Sequence, residues 1–564
     1  ACAMLTRALT SCLARLDRVR PAWRRERIGL ILGTSSGGMR DAERAFLAIE
    51  RGEALADVEA PTYFGPMARS ARSLSLVLDP CVMVLGACAS GTIAIGMGSR
   101  WLARGECDVV LAGGFDEVTV FVAAGFEALR AVTASPPPRA FRQERDGMVL
   151  GEGAAVLALA LAGPPEGRSF VVGFGAASDA VHLTAPDREG RGLSRAASAA
   201  LAEAGSPPID LVGAHGTATP FNDAAEWRAL VRSLGAEQAR KVVLHPFKAQ
   251  IGHTLGAAGA LETLACVDAI ARGVLPAAAG KGAVDPEAPA RLLDRAIAGT
   301  PQTALKLSAA FGGANAALVI GARPGPARRD RRDVFVHQAV YVEREPSLDD
   351  LAAEVPFQKP RLDRADGLVR LALAAVSRLS ASCASLAGAG VLVGSALATI
   401  ETNARFAANI RERGASRVDP RVFPYTSPNA VAGECSIAFG LTGPSFSLGG
   451  GLHAAVEALA AGTVLIEAGD ADRIVVVAVD DAGAATRALS GGAVRSGAVA
   501  VLLAADAGGA RARVGGITLR RGEPAPSCPA GHLALLPLVA GALPRVLVGT
   551  SPPDMLAKIS LEAV

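Results

Sequence analysis

Short runs of consecutive apolar residues alternate along the chain with longer Ala-rich stretches. Within the runs, apolar residues follow one another without polar alternation, which is typical of strands covered on both faces. In the first part of the chain these runs are Ile28–Leu32, Val82–Leu85, Asp108–Ala112, Ala154–Ala160, Phe170–Gly173, Leu211–Ala214, Lys241–Leu244, Ala304–Ala309 and Ala317–Ile320. The stretches between them predict helices over Gly91–Arg104, Leu193–Ala204 and Gly256–Arg272. This order of elements predicts a layered α/β fold.

Composition narrows the class of protein. Of the 564 residues, 50% are hydrophobic and 20% are charged, so the chain buries enough apolar surface to fold. Its length predicts roughly three or four domain-sized units. A net charge of +3 and an aromatic fraction of 4% argue against a nucleic-acid-binding surface.

The nine cysteines are scattered singly, without a CxxC pair, so we expect no disulfide framework and no zinc site. This usage favours a reducing compartment, and we predict a cytoplasmic protein. Three segments, 80–99, 379–400 and 524–544, lack charge over about the width of a membrane. Glycine or proline interrupts each of them, which favours buried strand and helix units. We therefore predict no membrane span.

The second part of the chain repeats the first. Matching blocks are Pro80 with Pro444, Gly105–Asp108 with Gly469–Asp472, Ile28–Gly33 with Ala389–Gly394, and Gly151–Leu157 with Ser496–Leu502. The first two pairs share an offset of 364 residues, without a gap between them. Several matches in the same order indicate two copies of one unit, the second of them shortened.

A stretch rich in Pro, Gly and Arg at 321–333 predicts a linker between the copies. We assign 1–163 and 164–320 to the two halves of the first copy, and 334–564 to the second copy. The second copy opens with a predicted strand, Val334–Val342, and its first 60 residues precede Gly394, whereas only 32 residues precede Gly33. We therefore expect the first copy to lack an opening strand.

Three blocks of the first copy contain candidate chemistry. Cys88 stands between an apolar strand and a Gly/Ala helix, where a helix dipole favours a thiolate. His215 follows a strand in Ala214-His-Gly-Thr-Ala-Thr219, at the sheet edge where α/β folds place ligands. Lys248 precedes His253 by five residues, before a run of small residues and Glu262. Taken singly, Cys88 also fits an inert core cysteine, and each histidine also fits a structural role.

Together and in this order, the three blocks resemble the β-ketoacyl synthase family of condensing enzymes, in its elongating type. Arg145–Gly153 and Phe311–Asn315 add to the resemblance, which covers residues 1 to about 321. It implies a thiolase-like fold in αβαβα layers, with one nearly complete copy and a partial, degenerate second copy. It also implies decarboxylative Claisen condensation of malonyl-acyl-carrier protein with a Cys-bound acyl chain, in fatty-acid, polyketide or polyene assembly. Members usually dimerise and act on acyl carrier protein.

The resemblance assigns roles to single residues. Cys88 is the expected nucleophile, His215 and His253 stabilise the enolate of the malonyl thioester, and Lys248 supports them electrostatically. Phe311 is the expected gate and contributes a backbone N–H to the oxyanion site. Thr217 and Thr219 match pantetheine-binding threonines, while Glu262 and Asp223 are expected to give structural support. No metal or other cofactor is expected, because the phosphopantetheine arm arrives on the carrier protein.

In the second copy Leu452 stands where the first copy has Cys88, so this copy lacks a nucleophile. It resembles a chain-length factor, the nucleophile-free partner of polyketide synthases, and His453 beside Leu452 fits a buried structural histidine. We expect a homodimer or an intrachain pseudo-dimer. Two alternatives remain open: a non-catalytic scaffold that binds acyl chains or a partner synthase, and a Cys-dependent thioester hydrolase.

Overall fold

A computed structural model describes residues 1–161, 169–326, 330–383, 385–449, 451–521, 529–540, 543–551 and 555–564. In the first copy the N-terminal half contains β1 Ile28–Gly33, β2 Cys81–Leu85, β3 Val109–Asp116 and β4 Gly153–Ala160, with α1 Cys2–Val19, α2 Met39–Glu50, α3 Gly65–Ser73, α4 Ser90–Arg104 and α5 Val120–Ala128. The C-terminal half contains β5 Phe170–Ser178, β6 Leu211–Gly213, β7 Val243–His245, β8 Val274–Leu275, β9 Ile297–Ala298, β10 Thr303–Ala309 and β11 Ala314–Gly321, with α6 Arg191–Glu203, α7 Asn222–Leu234, α8 Ala236–Lys241, α9 Lys248–Ile251 and α10 Ala258–Arg272.

The second copy has its own strands and helices. Its strands are β12 Phe335–Val342, β13 Gly390–Gly394, β14 Ser445–Leu448, β15 Arg473–Asp480, β16 Gly497–Ala504, β17 Ala512–Arg521, β18 Val546–Ser551 and β19 Met555–Ala563. Its helices are α11 Leu348–Glu354, α12 Lys359–Leu362, α13 Gly367–Ala381, α14 Ile400–Arg413, α15 Ala430–Phe439, α16 Ala454–Ala468 and α17 Ala484–Ser490.

One twelve-stranded sheet runs through both copies, in the order β18-β19-β17-β12-β16-β15-β13-β14-β2-β1-β3-β4. In each copy a parallel triplet, β2-β1-β3 or β14-β13-β15, is followed by one antiparallel strand. The strands of the two triplets are almost completely buried, as their continuous apolar runs predict. The shared topology supports the internal repeat in the sequence.

The copies meet at strands β2 and β14, which pair in antiparallel fashion. Val84 faces Leu448, and these two residues occupy the same position in their copies, at the offset of 364 residues. Leu85 faces Ser447, and the N–H of Gly449 donates to the carbonyl of Met83 at 3.2 Å. The pairing is therefore symmetrical about the Val84–Leu448 pair, as at an isologous two-fold interface.

A second sheet, β5-β11-β10-β6-β7, belongs to the first copy alone. Helices α4 and α10 lie between this sheet and the large one, contacting β3 and β10 respectively as well as each other. Helices α1 and α6 cover the outer faces. The first copy is thus built in five layers, α-β-α-β-α, which is the thiolase-like arrangement expected from the resemblance.

The two copies differ at one sheet edge. In the second copy, β16 has β15 on one side and the antiparallel strand β12 on the other. In the first copy, among the residues that the structure describes, β4 pairs only with β3 and ends the sheet. Helix α1 is the first element of the sequence, and it contacts β4 and α3.

The boundary between the copies falls between the end of β11 at Gly321 and the start of β12 at Phe335. Of the predicted linker 321–333, residues 327–329 lie outside the described part. Within that part, all eight cysteines are free and no helix is long and apolar enough to cross a membrane.

Candidate active site

Cys88 lies on a tight turn between β2 and α4. The 3-10 turn Ala87–Ala89 follows the strand directly, and Ala87 adopts a positive φ of 46°, in the left-handed region. The Ser90 hydroxyl accepts the N–H of Gly86 at 2.8 Å and donates to the carbonyl of Ala87 at 2.7 Å. These bonds hold the abrupt change of direction that places Cys88 at the N-terminal end of α4.

The Cys88 thiol is 8% exposed, and its pKa differs from the sequence-based prediction. Burial raises the pKa to about 12, and the nearby positive charge of Lys248 only partly opposes this effect. The prediction that the helix terminus favours a thiolate is therefore wrong for the resting protein, because desolvation outweighs the favourable charges. Cys88 therefore rests as a thiol.

His215 is held by a carboxylate that the sequence analysis did not single out. It follows β6, and the Glu226 side chain on α7 accepts the backbone N–H of His215 at 2.6 Å and of Gly216 at 2.8 Å. Burial raises the pKa of Glu226 to about 7. The carboxylate fixes the direction in which the chain leaves the strand, and hence the position of the imidazole.

The predicted supporting residues Asp223, Thr217 and Thr219 belong to the same loop. Asp223 accepts the backbone N–H of Phe141 at 2.7 Å and of Ala218 at 3.2 Å. The hydroxyls of Thr217 and Thr219 lie 2.9 Å apart. Asp223 thus ties the loop after His215 to the preceding half of the first copy.

Lys248 determines which nitrogen of His215 bears the proton. The ammonium is 2% exposed, donates to the carbonyl of His215 at 2.7 Å and lies 3.2 Å from His215 Nδ1. Its third close partner is the Glu262 carboxylate, with which it forms a buried ion pair. An ammonium offers only protons, so Nδ1 is the acceptor and the proton of neutral His215 lies on Nε2.

His253 adopts the same tautomer by a different contact. Its backbone is held between Val149 and Gly151, and its Nδ1 accepts the N–H of Leu255 at 3.1 Å. The proton of the neutral ring therefore lies on Nε2. The two imidazoles meet edge to face, with centroids 5.6 Å apart and an interplanar angle of 87°.

Both imidazoles are kept neutral. Burial is the larger cause and the charge of Lys248 the next, and together they hold the pKa of His215 and of His253 well below 6.5. A neutral imidazole with its proton on Nε2 donates one hydrogen bond without adding a charge. Two such donors suit an anion that forms only during a reaction.

A second buried lysine extends this network. Lys306 on β10 is fully buried and forms an ion pair with Glu262 Oε2 at 2.7 Å. It also donates to Ser308 Oγ at 3.0 Å, and Ser308 contacts Thr92 of α4 at 2.8 Å. Glu262 thus bridges two lysines and leaves one excess positive charge near the imidazoles.

Phe311 begins a turn between β10 and β11. Gly312 and Gly313 have φ values of 78° and 71°, which a residue with a Cβ rarely adopts. Asn315 donates to the carbonyl of Gly313 at 3.0 Å and to Asp179 at 2.9 Å. The Phe311 ring lies against that of Phe126, with centroids 5.7 Å apart.

A cavity of about 50 Å³ adjoins Cys88 and lies between the two copies. From the first copy Phe121, Phe126 and Phe311 contribute to its wall, together with Cys88 itself. From the second copy Phe423, Thr426 and Ser427 contribute. The Phe423 ring packs on Phe126 and Phe406 at 5.1 and 5.6 Å, so an aromatic cluster closes the cavity at the interface.

The second copy preserves the scaffold of this site without its chemistry. Asp116 at the end of β3 accepts the N–H of Gly256 at 2.6 Å, and its counterpart Asp480 accepts that of His532 at 2.7 Å. His532 therefore corresponds in position to Gly256 of the first copy. It does not correspond to His253. Leu452 follows β14, as Cys88 follows β2, and His453 beside it is buried.

Sequence comparison decides the family. A model of the β-ketoacyl synthase N-terminal domain matches residues 2–162 and again residues 324–500, and one of the C-terminal domain matches residues 168–280. The chain belongs to the β-ketoacyl synthase family. The double match of the N-terminal model agrees with the two copies seen in the sheet.

Relatives of this β-ketoacyl synthase include a polyketide synthase subunit and a 3-oxoacyl-[acyl-carrier-protein] synthase. The chain is 34% identical over 326 residues to the tetracenomycin polyketide synthase ketoacyl synthase alpha subunit of Streptomyces glaucescens, spanning 54% of this chain and 76% of that one. It is 33% identical over 310 residues to 3-oxoacyl-[acyl-carrier-protein] synthase 2 of Staphylococcus aureus, spanning 52% and 77%. The chain is thus a condensing acyltransferase of fatty-acid or polyketide synthesis.

Solved structures extend the likeness of fold to nearly the whole chain. The PfaC keto synthase–chain length factor aligns with a TM-score of 0.75 at 15% identity, covering 95% of this chain and 80% of that one. The ketosynthase complex AntDE:AntF, described as bound to its acyl-carrier protein, aligns with a TM-score of 0.52 at 24% identity, covering 57% and 85%. At these identities the comparison shows the fold alone.

Proposed function

We propose that the first copy condenses malonyl-acyl-carrier protein with an acyl chain bound to Cys88, giving 3-oxoacyl-acyl-carrier protein. The observation that supports this most strongly is the shared protonation of the two histidines. Both rings are buried and neutral. The contacts at Nδ1 of each ring leave the proton on Nε2, where it can be donated to a substrate. The charge of Lys248 lowers the pKa of both imidazoles and of Cys88, so one ammonium acts electrostatically on all three groups.

In the first step the Cys88 sulfur attacks the thioester carbonyl of the incoming acyl chain. The new C–S bond replaces the bond to the carrier's sulfur, and the proton lost by Cys88 ends on the departing carrier thiol. The backbone N–H groups of Cys88 and Phe311 are proposed to bind the oxyanion of this step. Thr217 and Thr219 are proposed to hold the pantetheine arm.

In the second step the malonyl thioester loses CO2, and its electron pair forms an enolate. The Nε2–H groups of His215 and His253 donate to the enolate oxygen, and each such donor lowers the barrier by about 3 kcal/mol. The enolate carbon then attacks the acyl-Cys88 thioester, so that a C–C bond forms and the C–S bond breaks. The released Cys88 thiolate takes up one proton from solvent. This sequence uses no metal and no cofactor beyond the arm of the carrier protein.

We propose that the second copy is a built-in, chain-length-factor-like partner, so that the chain forms an intrachain pseudo-dimer. The symmetrical pairing of β2 with β14 about Val84 and Leu448 supports this proposal. So does the cavity at Cys88, whose far wall comes from Phe423, Thr426 and Ser427. Leu452 offers no nucleophile, so the second copy shapes the cavity without binding an acyl chain covalently. The free cysteines agree with a cytoplasmic location.

The test is to incubate the protein with acyl- and malonyl-carrier protein and to follow CO2 release and 3-oxoacyl product by mass spectrometry. Cys88→Ala should abolish the product, whereas Leu452→Ala, the matched change in the second copy, should retain it. Failure of the unmodified protein to take up an acyl group would instead favour a scaffold. Hydrolysis of the acyl thioester without CO2 release would favour the thioester hydrolase.

A further inference from the structure

The peptide between Phe311 and Gly312 is held at both of its polar atoms. Its N–H, on Gly312, donates to the carbonyl of Leu183 at 2.6 Å. Its carbonyl, on Phe311, accepts Nδ2 of Asn429 at 2.5 Å. Leu183 belongs to the first copy, whereas Asn429 immediately precedes α15 of the second copy. The two copies therefore fix this peptide from opposite sides.

The Phe311 turn and the start of α15 are tightly packed against each other. A Cβ on Gly312 would lie 2.6 Å from Asn429 Nδ2, and a Cβ on Gly433 would lie 2.7 Å from Gly312 Cα. Such distances are shorter than van der Waals contact, so the start of α15 sits directly on the turn. A hydrogen bond in so close a contact restricts the rotation that the two glycines otherwise permit.

Asn429 is also connected to the cavity beside Cys88. Its Oδ1 accepts the Ser427 hydroxyl at 2.7 Å, and Ser427 contributes to the cavity wall. The Asn429 amide thus joins Ser427 to the carbonyl of Phe311, and both of these residues contribute to the cavity wall. Nδ2 and Oδ1 are both engaged, so the orientation of the amide is defined.

We propose that Asn429 is a positioning residue which latches the Phe311 turn from the second copy and keeps the Phe311 ring in the wall of the cavity beside Cys88. This inference rests on the proposed function, in which Cys88 is the nucleophile, and on the role of gate that the family resemblance assigns to Phe311. Although Leu452 provides no nucleophile, the second copy would then control access to Cys88 in the first copy. Movement of Ser427 by an acyl chain in the cavity would weaken the latch.

The experiment measures how fast iodoacetamide alkylates each cysteine of the full chain, resolved by peptide mass spectrometry. Cys383, half-buried and in the second copy, is the internal reference. Asn429→Ala removes the donor, and Asn429→Asp removes it while preserving size. We expect alkylation of Cys88 relative to Cys383 to rise roughly fivefold in both variants, as the loss of one hydrogen bond allows. Asn409→Ala on α14, an asparagine outside these hydrogen bonds to the turn, is the matched control and should leave the ratio unchanged.

The ratio within one molecule separates a local latch from general loosening, which would expose both cysteines. A smaller rise, roughly twofold, is expected for Ser427→Ala, because Asn429 keeps its bond to Phe311 but loses its own support. An unchanged ratio in folded Asn429 and Ser427 variants would overturn the latch, even if condensation is observed. A raised ratio in a protein that shows no condensation would support the latch and refute only the proposed function.

Discussion

Substitutions of His253 can separate the roles of its two ring nitrogens. Nδ1 accepts the N–H of Leu255, whereas Nε2–H is proposed to donate to the substrate. His253→Ala removes the Nε2–H donor and also leaves the buried N–H of Leu255 without its acceptor. The first loss should slow malonyl decarboxylation by about 100- to 1000-fold, and the second should lower the free energy of unfolding by about 1–3 kcal/mol. His253→Asn should restore stability, because its Oδ1 lies near the place of Nδ1 and accepts the Leu255 N–H, but it should remain slow.

His253→Gln completes the series, since its side-chain amide reaches toward the place of Nε2 and offers a donor there. We expect it to decarboxylate faster than the Asn variant while being less stable. Single-turnover CO2 release and urea unfolding measure the two quantities independently. Equal decarboxylation rates in the Asn variant and the unmodified protein would refute the reasoning, because Nε2–H would then contribute nothing to the barrier.

Four further predictions concern charge, packing and the cavity. Burial holds the pKa of both imidazoles well below 6.5, so the unfolded chain binds protons that the folded chain does not. The free energy of unfolding should therefore fall as the pH falls below 6.5. Urea titrations at several pH values check this, and His253→Asn should reduce the fall. Lys306→Met removes a cation that lowers both pKa values, so the acid limb of decarboxylation should move to higher pH; an unmoved limb would contradict it. Arg100 is 4% exposed and forms ion pairs with Glu203 of the first copy and Asp470 of the second. Arg100→Met should lower the free energy of unfolding by about 3–5 kcal/mol, against less than about 0.5 kcal/mol for the exposed Arg272→Ala control. Phe423→Ala opens the aromatic cluster, so longer acyl chains should load onto Cys88; the same range of primers in mass spectra would contradict this.

The sequence predicts the parts of the fold that depend on local patterns. The continuous apolar runs became the buried strands β1, β2 and β3. The repeat at an offset of 364 residues anticipated the like topology of the two copies. The strands β17–β19 were not predicted, because polar residues interrupt their apolar pattern and long-range pairing holds them in the sheet.

The sequence predicted those site residues that lie within recognisable motifs. Cys88, His215, Lys248 and His253 are each marked by their neighbours in sequence. Lys306 was missed because a lysine in an apolar run reads as an exposed position of a strand, and only its distant partner Glu262 makes burial tolerable. Asn429 was missed because its partner Phe311 belongs to the other copy. Glu226 alone had a signal: it lies one turn beyond Asp223 on the same face of α7.

The resting state of Cys88 shows why a motif does not fix a protonation state. A helix terminus favours a thiolate by a modest amount, whereas burial of the sulfur penalises the charge more strongly. The sequence shows the helix but not the depth at which the sulfur lies. The pKa therefore had to come from the structure.

The most direct test of the account is peptide-resolved mass spectrometry of the full chain after brief exposure to acyl-carrier protein, followed by malonyl-carrier protein. We predict that the acyl mass is found on Cys88 alone after the first addition. After the second it should leave as a 3-oxoacyl product, with one CO2 released per acyl group. An acyl group on any other residue, or CO2 release that does not depend on His215 and His253, would contradict the account.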